Sequence, residues 1–425
     1  MKPRENVRRE SLHFVPRLQC QDLAKASAGR EFHYQRSAIA AMLSLGLTSP
    51  VMALELTDFT DPDTEYDEAY VDFTANANDG NQDQVSYDAL LNGFYNRQES
   101  TRERVLNYRF DANYDASRGP NSDDDTQDDY GAGIGINADT YFSDSNENLF
   151  WFGSADYAFQ DSAEDDNAGF TVGIGYGRVW NATPLAKALR IQQSLQEYGQ
   201  LSGDLSDDGA GELANIIARE DEYRAREGAD TYRGVWYSEM EEILQREGLL
   251  TADTLSALGA VKMDDVLFDE PISARRHGWL ARAGVGIQIS DFSGTVDSDP
   301  KFRFELEYAK PYGLTGQLLE TAVYEPIFGD DTVHRLSNRL SYTYEVSDRI
   351  DWLNSWNLSF QQADDDDDTR FVSNTLTSTF LYHLTNELDL GLTLAANDVD
   401  VRPDATNGDD EVNKSAVLGL RYRIK

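Results

Sequence analysis

From Lys301 onward the chain alternates strictly. Phe302, Phe304, Leu306 and Tyr308 fall on one face of an extended segment, and Arg303, Glu305 and Glu307 fall on the other. The same period of two sets Leu388, Leu390, Leu392 and Leu394 against Asp389, Gly391 and Thr393. It sets Leu418, Leu420, Tyr422 and Ile424 against Gly419, Arg421 and Arg423, and Leu106, Tyr108 and Phe110 against Asn107, Arg109 and Asp111. Successive side chains of a strand point to opposite faces, so each segment is greasy on one side and polar on the other. Fourteen such segments predict strands, the first at Glu68–Asn76 and the last at Asn413–Ile424.

An antiparallel sandwich with one wet face would show the same alternation. Segment length, aromatic placement and loop chemistry favour a barrel in a membrane. The segments run to roughly 10–14 residues, and a tilted strand needs about 9–11 to cross a bilayer. Trp180, Trp279, Trp352 and Tyr382 sit toward segment ends, where interfacial aromatic girdles belong. Long acidic connections alternate with short turns, as they do when all long loops lie on one side of the membrane. The predicted fold is mainly β: a transmembrane antiparallel up-and-down β-barrel of about 14 strands, with 12–16 compatible with the pattern. An even count places both termini on the short-turn, periplasmic side.

The alternation stops between Trp180 and His277. Thr183-Pro184 reads as a helix start with Thr as N-cap. Leu185, Ala188, Ile191, Leu195 and Tyr198 then recur at helical spacing up to Gly199. A second helix carries Leu213, Ile216, Ile217 and Tyr223 to Gly228, and a third carries Val235, Met240, Ile243 and Leu244 to Gly248. A short fourth is expected near 251–258. Such stripes pack together as a small periplasmic domain. It acts as a stabilising cap, a gate or a docking module; no residue decides among them. The predicted organisation is a leader over 1–53, barrel over 54–181, helical insertion over 182–276 and barrel again over 277–425.

Composition bears on export and partners. Arg36, the apolar stretch Ala38–Leu47 and Val51-Met52-Ala53 form a secretory signal with cleavage expected after Ala53. Cleavage would remove eight basic and four acidic residues, taking the net charge from −39 to −43, and would remove Cys20, the one cysteine. A thiol-free exported chain has no disulfide staple and no cysteine-based metal or redox chemistry. So acidic a chain is no nucleic-acid binder. No run of about 18 apolar residues marks a spanning helix.

Candidate chemistry is sparse. Beyond the leader there are three histidines, His277, His334 and His383, on separate strands with no Ser or carboxylate at motif spacing, and no G-x-S-x-G elbow occurs. No enzymatic activity and no cofactor are expected. The glycines of GAGIG (Gly131, Gly133, Gly135) and GIGYG (Gly173, Gly175, Gly177) lie within strands, where they thin the wall or admit close packing. Acidic runs at Asp123, Asp124, Asp364, Asp365 and Asp366 offer oxygen ligands for loosely held divalent cations. They lack the glycine-centred calcium loop and read chiefly as solvated loops. The alternation sends Arg109, Asp111, Asp139, Asp156, Arg282, Arg303, Glu305, Glu307, Arg335, Arg339, Glu345, Asp389, Arg421 and Arg423 inward, together with Glu68 and Asp72.

The last strand resembles that of Gram-negative outer-membrane β-barrel proteins of the porin-like kind. Gly419, Tyr422 and Ile424 match its glycine and alternating aromatic or apolar positions, although the chain ends in Lys425 rather than in an aromatic residue. The resemblance implies an outer-membrane location, insertion by the barrel-assembly machinery, and contact with outer-membrane lipid and lipopolysaccharide. Two functions stay open. One is a porin-like channel with a polar, mixed-charge lumen for small hydrophilic solutes or for export. The other is a closed barrel that anchors or docks a periplasmic envelope partner through its helices.

Overall fold

A computed structural model describes residues 54–424 apart from 62, 143–147, 271, 295, 365–368 and 403–411. The expected leader with Cys20, and the acidic positions Asp365 and Asp366, lie outside the described residues.

Fourteen strands close one barrel. They are β1 (Thr64–Asn78), β2 (Ser86–Ser100), β3 (Arg104–Arg118), β4 (Gln127–Tyr141), β5 (Leu149–Gln160), β6 (Asn167–Asn181) and β7 (Arg276–Ser290). The second half comprises β8 (Asp297–Tyr312), β9 (Gly316–Phe328), β10 (Thr332–Ser347), β11 (Ile350–Ala363), β12 (Arg370–His383), β13 (Leu388–Arg402) and β14 (Asn413–Arg423). Each strand pairs antiparallel with its chain neighbour, and β1 closes the ring against β14. Most strands run beyond the predicted segment ends, to 16 residues in β8 and β10, past the about 9–11 residues a bilayer needs.

The outward set is apolar: Phe110, Ile134, Trp151, Ile174, Val285, Phe304, Leu306, Leu392 and Leu418 are all exposed. A water-soluble fold does not carry so broad an apolar belt. A bilayer requires it, because hydrocarbon meets only this face while the closed sheet satisfies the backbone. The closing seam is short, with four register pairs from Tyr70↔Arg423 to Phe73↔Leu420, extended by Ile424 N–H donating to the Ala69 carbonyl at 2.9 Å. Gly419 sits inside this seam, where a Cβ would lie 2.7 Å from Thr74 Cγ2. Arg421 spans it with two hydrogen bonds to Asp72, 2.7 and 3.1 Å. Tyr422 and Ile424 point to lipid, and the Tyr422 hydroxyl donates to Glu387 at 2.9 Å.

Between β6 and β7 lie five α-helices: α1 (Thr183–Glu197), α2 (Asp207–Ala218), α3 (Glu220–Glu227), α4 (Tyr232–Arg246) and α5 (Ala257–Asp264), the last continued by a π turn over Asp265–Asp269. Several details differ from the sequence reading. Thr183 is already helical, and its backbone N–H and hydroxyl both donate to Asn181 Oδ1. The predicted second helix is two, broken at Arg219. The last helix starts at Ala257 rather than near 251, because Ser256 caps it by accepting from Gly259 N–H at 3.1 Å. Val235 is exposed, and its neighbour Trp236 fills the core instead. β7 begins at Arg276, one residue before the predicted domain boundary.

Substituting Leu306→Arg puts a charge into the lipid belt and is expected to destabilise insertion by about 2–4 kcal/mol near the midplane. Ser337→Arg, on the exposed part of the inner face, is expected to cost little. Comparing the fraction that stays heat-modifiable on a gel checks the pair; equal tolerance would invert the assigned facing.

Candidate functional site

The inner face divides into a sealed end and an accessible middle. The seal starts with two aromatic residues of β5. Phe150 and Phe152 point inward and are fully buried. Their rings lie across the inner face of β6, so a Cβ on Gly175 would come within 2.2 Å of Phe150 and one on Gly173 within 2.6 Å of Phe152. These glycines therefore admit close packing; they do not widen the lumen. Val105, Tyr141, Val179, Leu280 and Ala309 complete this apolar layer. All of them sit at the ends of β3 to β8 nearest the helices.

Opposing walls meet at this end. From β6, Arg178 donates to Ser100 Oγ at 2.9 Å and to the Arg102 carbonyl at 3.2 Å, with its guanidinium over Tyr141. Asn181 reaches the Glu65 carbonyl on β1 at 3.4 Å, and Arg276 of β7 stands over the Tyr66 ring of β1. The segment before β1 threads into the same mouth as a strap. Its single 3-10 turn (Leu56–Asp58) lies by β7 and β8, and the Phe59 carbonyl is 2.7 Å from His277 Nε2. Leu56 and Phe59 share one core with Leu185, Leu213, Trp236 and Met240 of the helices. The helical domain docks on the rim through Glu345 of β10, which accepts from Arg190 of α1 at 2.6 Å and from buried Arg275. Arg275 also donates twice to the Leu314 carbonyl in the β8–β9 turn.

Next to the apolar layer runs an ionic ladder. Asp139 of β4 accepts two hydrogen bonds from Arg282 of β7, 2.6 and 3.1 Å, with both side chains almost wholly buried. Arg282 also pairs with Glu305, which accepts from Arg303 at 2.8 Å; Arg303 donates to Glu325 at 3.0 Å; and Lys301 meets Glu325 at 3.3 Å. Such buried charge is tolerable only because each member is paired. A second buried cluster joins His383 of β12 to Asp389 (Nδ1 to Oδ1, 2.6 Å) and to Asp351 (Nε2 to Oδ2, 3.3 Å), with Arg423 3.6 Å from Asp389.

The accessible part lies on other strands, β3 and β10. Arg109, paired with Asp111 at 3.1 Å, keeps a side chain 59% exposed although it faces inward. Ser337 and Arg339 of β10 are exposed on the same inner surface. At the loop end Arg335 holds Asp291 at 2.7 Å. On β5, Asp156 has Asn167 Nδ2 at 3.5 Å. Glu307 faces the seal near Arg276 and Arg282. On β1, Glu68 accepts from the Tyr66 hydroxyl at 3.1 Å.

The residues expected to face inward form separate groups. Arg109, Asp111 and Arg339 belong to the accessible space, whereas Asp139, Arg282, Glu345 and Asp389 are locked in the seal. No carboxylate stands at motif spacing from a histidine in the chain, yet the fold brings two to His383. Its partners sit on neighbouring strands, a relation that no spacing in the chain displays. Lys301 and Glu325 also face inward, although neither was among the expected inward residues. Asp115 and Asp129, directly opposite each other on β3 and β4, also escaped notice. Among the described residues no group of three His, Cys, Asp or Glu side chains is arranged to hold a metal ion, and Asp124 is engaged by the Asn121 backbone N–H and amide.

No protein-family model and no curated protein matches the chain. Among solved structures it is similar to a loop-deletion mutant of OmpT, an outer-membrane protein of Vibrio cholerae, with 9% identity over 85% of this chain and 100% of that one and a TM-score of 0.29. It is similar to an anion-selective porin from Comamonas acidovorans, with 10% identity over 85% and 100% of the two chains and a TM-score of 0.31. A third is CdiB from Escherichia coli, with 8% identity, 84% and 62% coverage and a TM-score of 0.36. Likenesses of this size do not assign the chain to any of them.

Asp139→Ala strands the Arg282 charge in the seal and is expected to cost about 3–5 kcal/mol, toward the lower end because Glu305 still faces it. Pairing it with Arg282→Met should recover much of the loss, read as the denaturant midpoint of heat-modifiability. The helical domain should loosen in alkali. Burial, then a hydrogen bond to Glu239, pushes Tyr223 up to about 12, and burial followed by Asp264 and Glu220 raises Tyr237 and Tyr232. A raised phenol contributes stability that is complete below the unfolded value near 10 and is lost as pH climbs through the folded one. Helical circular dichroism is therefore expected to fall as pH rises from about 10 to about 12; a constant signal across that window would count against these contacts.

Proposed function

We propose that the protein is an outer-membrane channel for small hydrophilic solutes, held shut on the periplasmic side by its helical domain and N-terminal strap. One observation carries this reading: the inner face is water-accessible and charged at Arg109, Asp111 and Arg339, yet it ends blindly against buried groups tied to the helices. A barrel serving only as a fastener gains nothing from unburied charges in its middle. Those charges suit a wet lumen.

Location and orientation follow from the same physics. Closed barrels are one of the two backbone solutions for crossing hydrocarbon, and exported chains with even-stranded barrels occupy the outer membrane. The start of β1, the end of β14 and the helices share one end of the barrel. The described acidic connections share the other, which the reading turns outward toward lipopolysaccharide. The last strand, with Gly419 in the seam and Tyr422 and Ile424 toward lipid, is the segment the assembly machinery would engage.

A second reading has an observation of its own. Part of the seal, Phe150, Phe152 and Leu280, belongs to the barrel and not to the helices. A permanently closed barrel displaying a docking domain would be built this way.

Planar-bilayer recording separates them. The full chain is expected to show rare openings. Deletion of residues 184–268, joined by a short Gly-Ser turn, should give a stable open current, and Glu345→Gln, which weakens the hold on Arg190 and Arg275, should raise open probability. Silence of the deletion variant, while it remains heat-modifiable, would reject the gate in favour of the closed barrel.

A further inference from the structure

We propose that the recess between the β7–β8 loop and the inner faces of β10 to β12 binds an uncharged polyhydroxyl solute of monosaccharide size. The loop after Ser290 does not arch away from the barrel. Asp291 and Val296 are buried, the Asp291 carboxylate accepts from Arg335 at 2.7 Å and from Ser293 Oγ at 2.8 Å, and the Phe292 carbonyl accepts from Glu164 N–H at 3.2 Å. The loop is thereby pinned across the outer mouth, leaving a cavity of 170 Å³ lined by Asn167, Phe292, Arg335, Ser359, Gln361 and Phe371 as well as by the pinned carboxylate and Ser293.

The lining selects the ligand class. Its one cation and one anion already neutralise each other, so an ionic solute would shed hydration there without finding an open counter-charge. The amides of Asn167 and Gln361 and the Ser359 hydroxyl can both donate and accept, which matches the dual character of sugar hydroxyls. Arg335 Nε is shielded from solvent and has no acceptor among the described residues, so one ligand hydroxyl oxygen can satisfy it. Phe292 and Phe371 supply apolar surface for the C–H face of a pyranose ring. Ligand sites commonly combine such surface with a few convergent polar groups.

The site deepens the channel reading and rests on it only for the solute's onward path. Equilibrium binding to the full-length mature protein in detergent micelles tests it, with glucose as probe and succinate and putrescine as charged comparators. Glucose is expected to bind saturably in the millimolar range and the comparators not to bind. Phe371→Ala and Gln361→Ala should each weaken glucose by about tenfold while leaving heat-modifiability intact. Non-saturable glucose, unchanged affinity in both variants, or succinate or putrescine binding in place of glucose would overturn the site. Binding needs no open pore, so the two ideas fail separately. Glucose bound by a barrel that never conducts sinks the channel alone, and current without glucose binding sinks the recess alone.

Discussion

Hydrocarbon offers a peptide group nothing to bond with, and the rest of this molecule follows from that constraint. A sheet in lipid must close on itself, so the first strand has to find the last. Here it does so over only four register pairs. The seam works because Gly419 leaves room for Thr74, and because Arg421 adds a charged, two-pronged hydrogen bond to Asp72 on the inner side. Closure also fixes the parity of every strand. Once Leu306 must meet lipid, Glu305 and Glu307 have to be accommodated inside.

Accommodating charge inside a barrel has two physical solutions, pairing and hydration, and the chain uses both in different places. Along β4 and β7 to β9, every carboxylate of the ladder faces a guanidinium or ammonium. On β3 and β10, Arg109 and Arg339 stay exposed. The boundary between these regimes is the functional statement of the fold. A lumen that only fastened the wall would be paired throughout, and an open tube would carry no dry layer.

The sequence made the barrel legible because parity is a local property. Eight residues such as Lys301–Tyr308 display their two faces without reference to anything else, and the strand count, the loop alternation and the inward set all descend from it. The insertion was legible as helices for the same reason, through the spacing of Leu185, Ala188 and Ile191. Contacts between distant strands were not legible. Asp351, His383 and Asp389 show no relation to one another in the chain and become a cluster only when three strands lie side by side. Arg190 and Glu345 are 155 positions apart, and nothing in the spacing of either hints at the other. Packing also overrode position at Trp236, which displaced Val235 from the helical core because a larger ring buries more apolar surface.

The location of the helical domain has a cause in the wall itself. Gly177 and Gly278 stand on adjacent strands with φ of +103° and +108°, a region that other residues enter only with strain. A Cβ at either would come within 2.4 Å of the facing strand's carbonyl, so the positions also exclude side chains sterically. Beyond this pair of kinks the inside–outside alternation of β6 lapses, and Arg178, Val179 and Asn181 are all buried. The strand ends therefore lean across the mouth toward β1 and the β2–β3 turn instead of continuing along the wall. A domain inserted between any other pair of strands would leave the barrel at its rim. Inserted here, it starts from a point already inside the rim, and its first helix begins two residues after Asn181 contacts the opposite wall. The kinked glycines thus set the position of the cover, and Glu345 on β10 receives it from the other side.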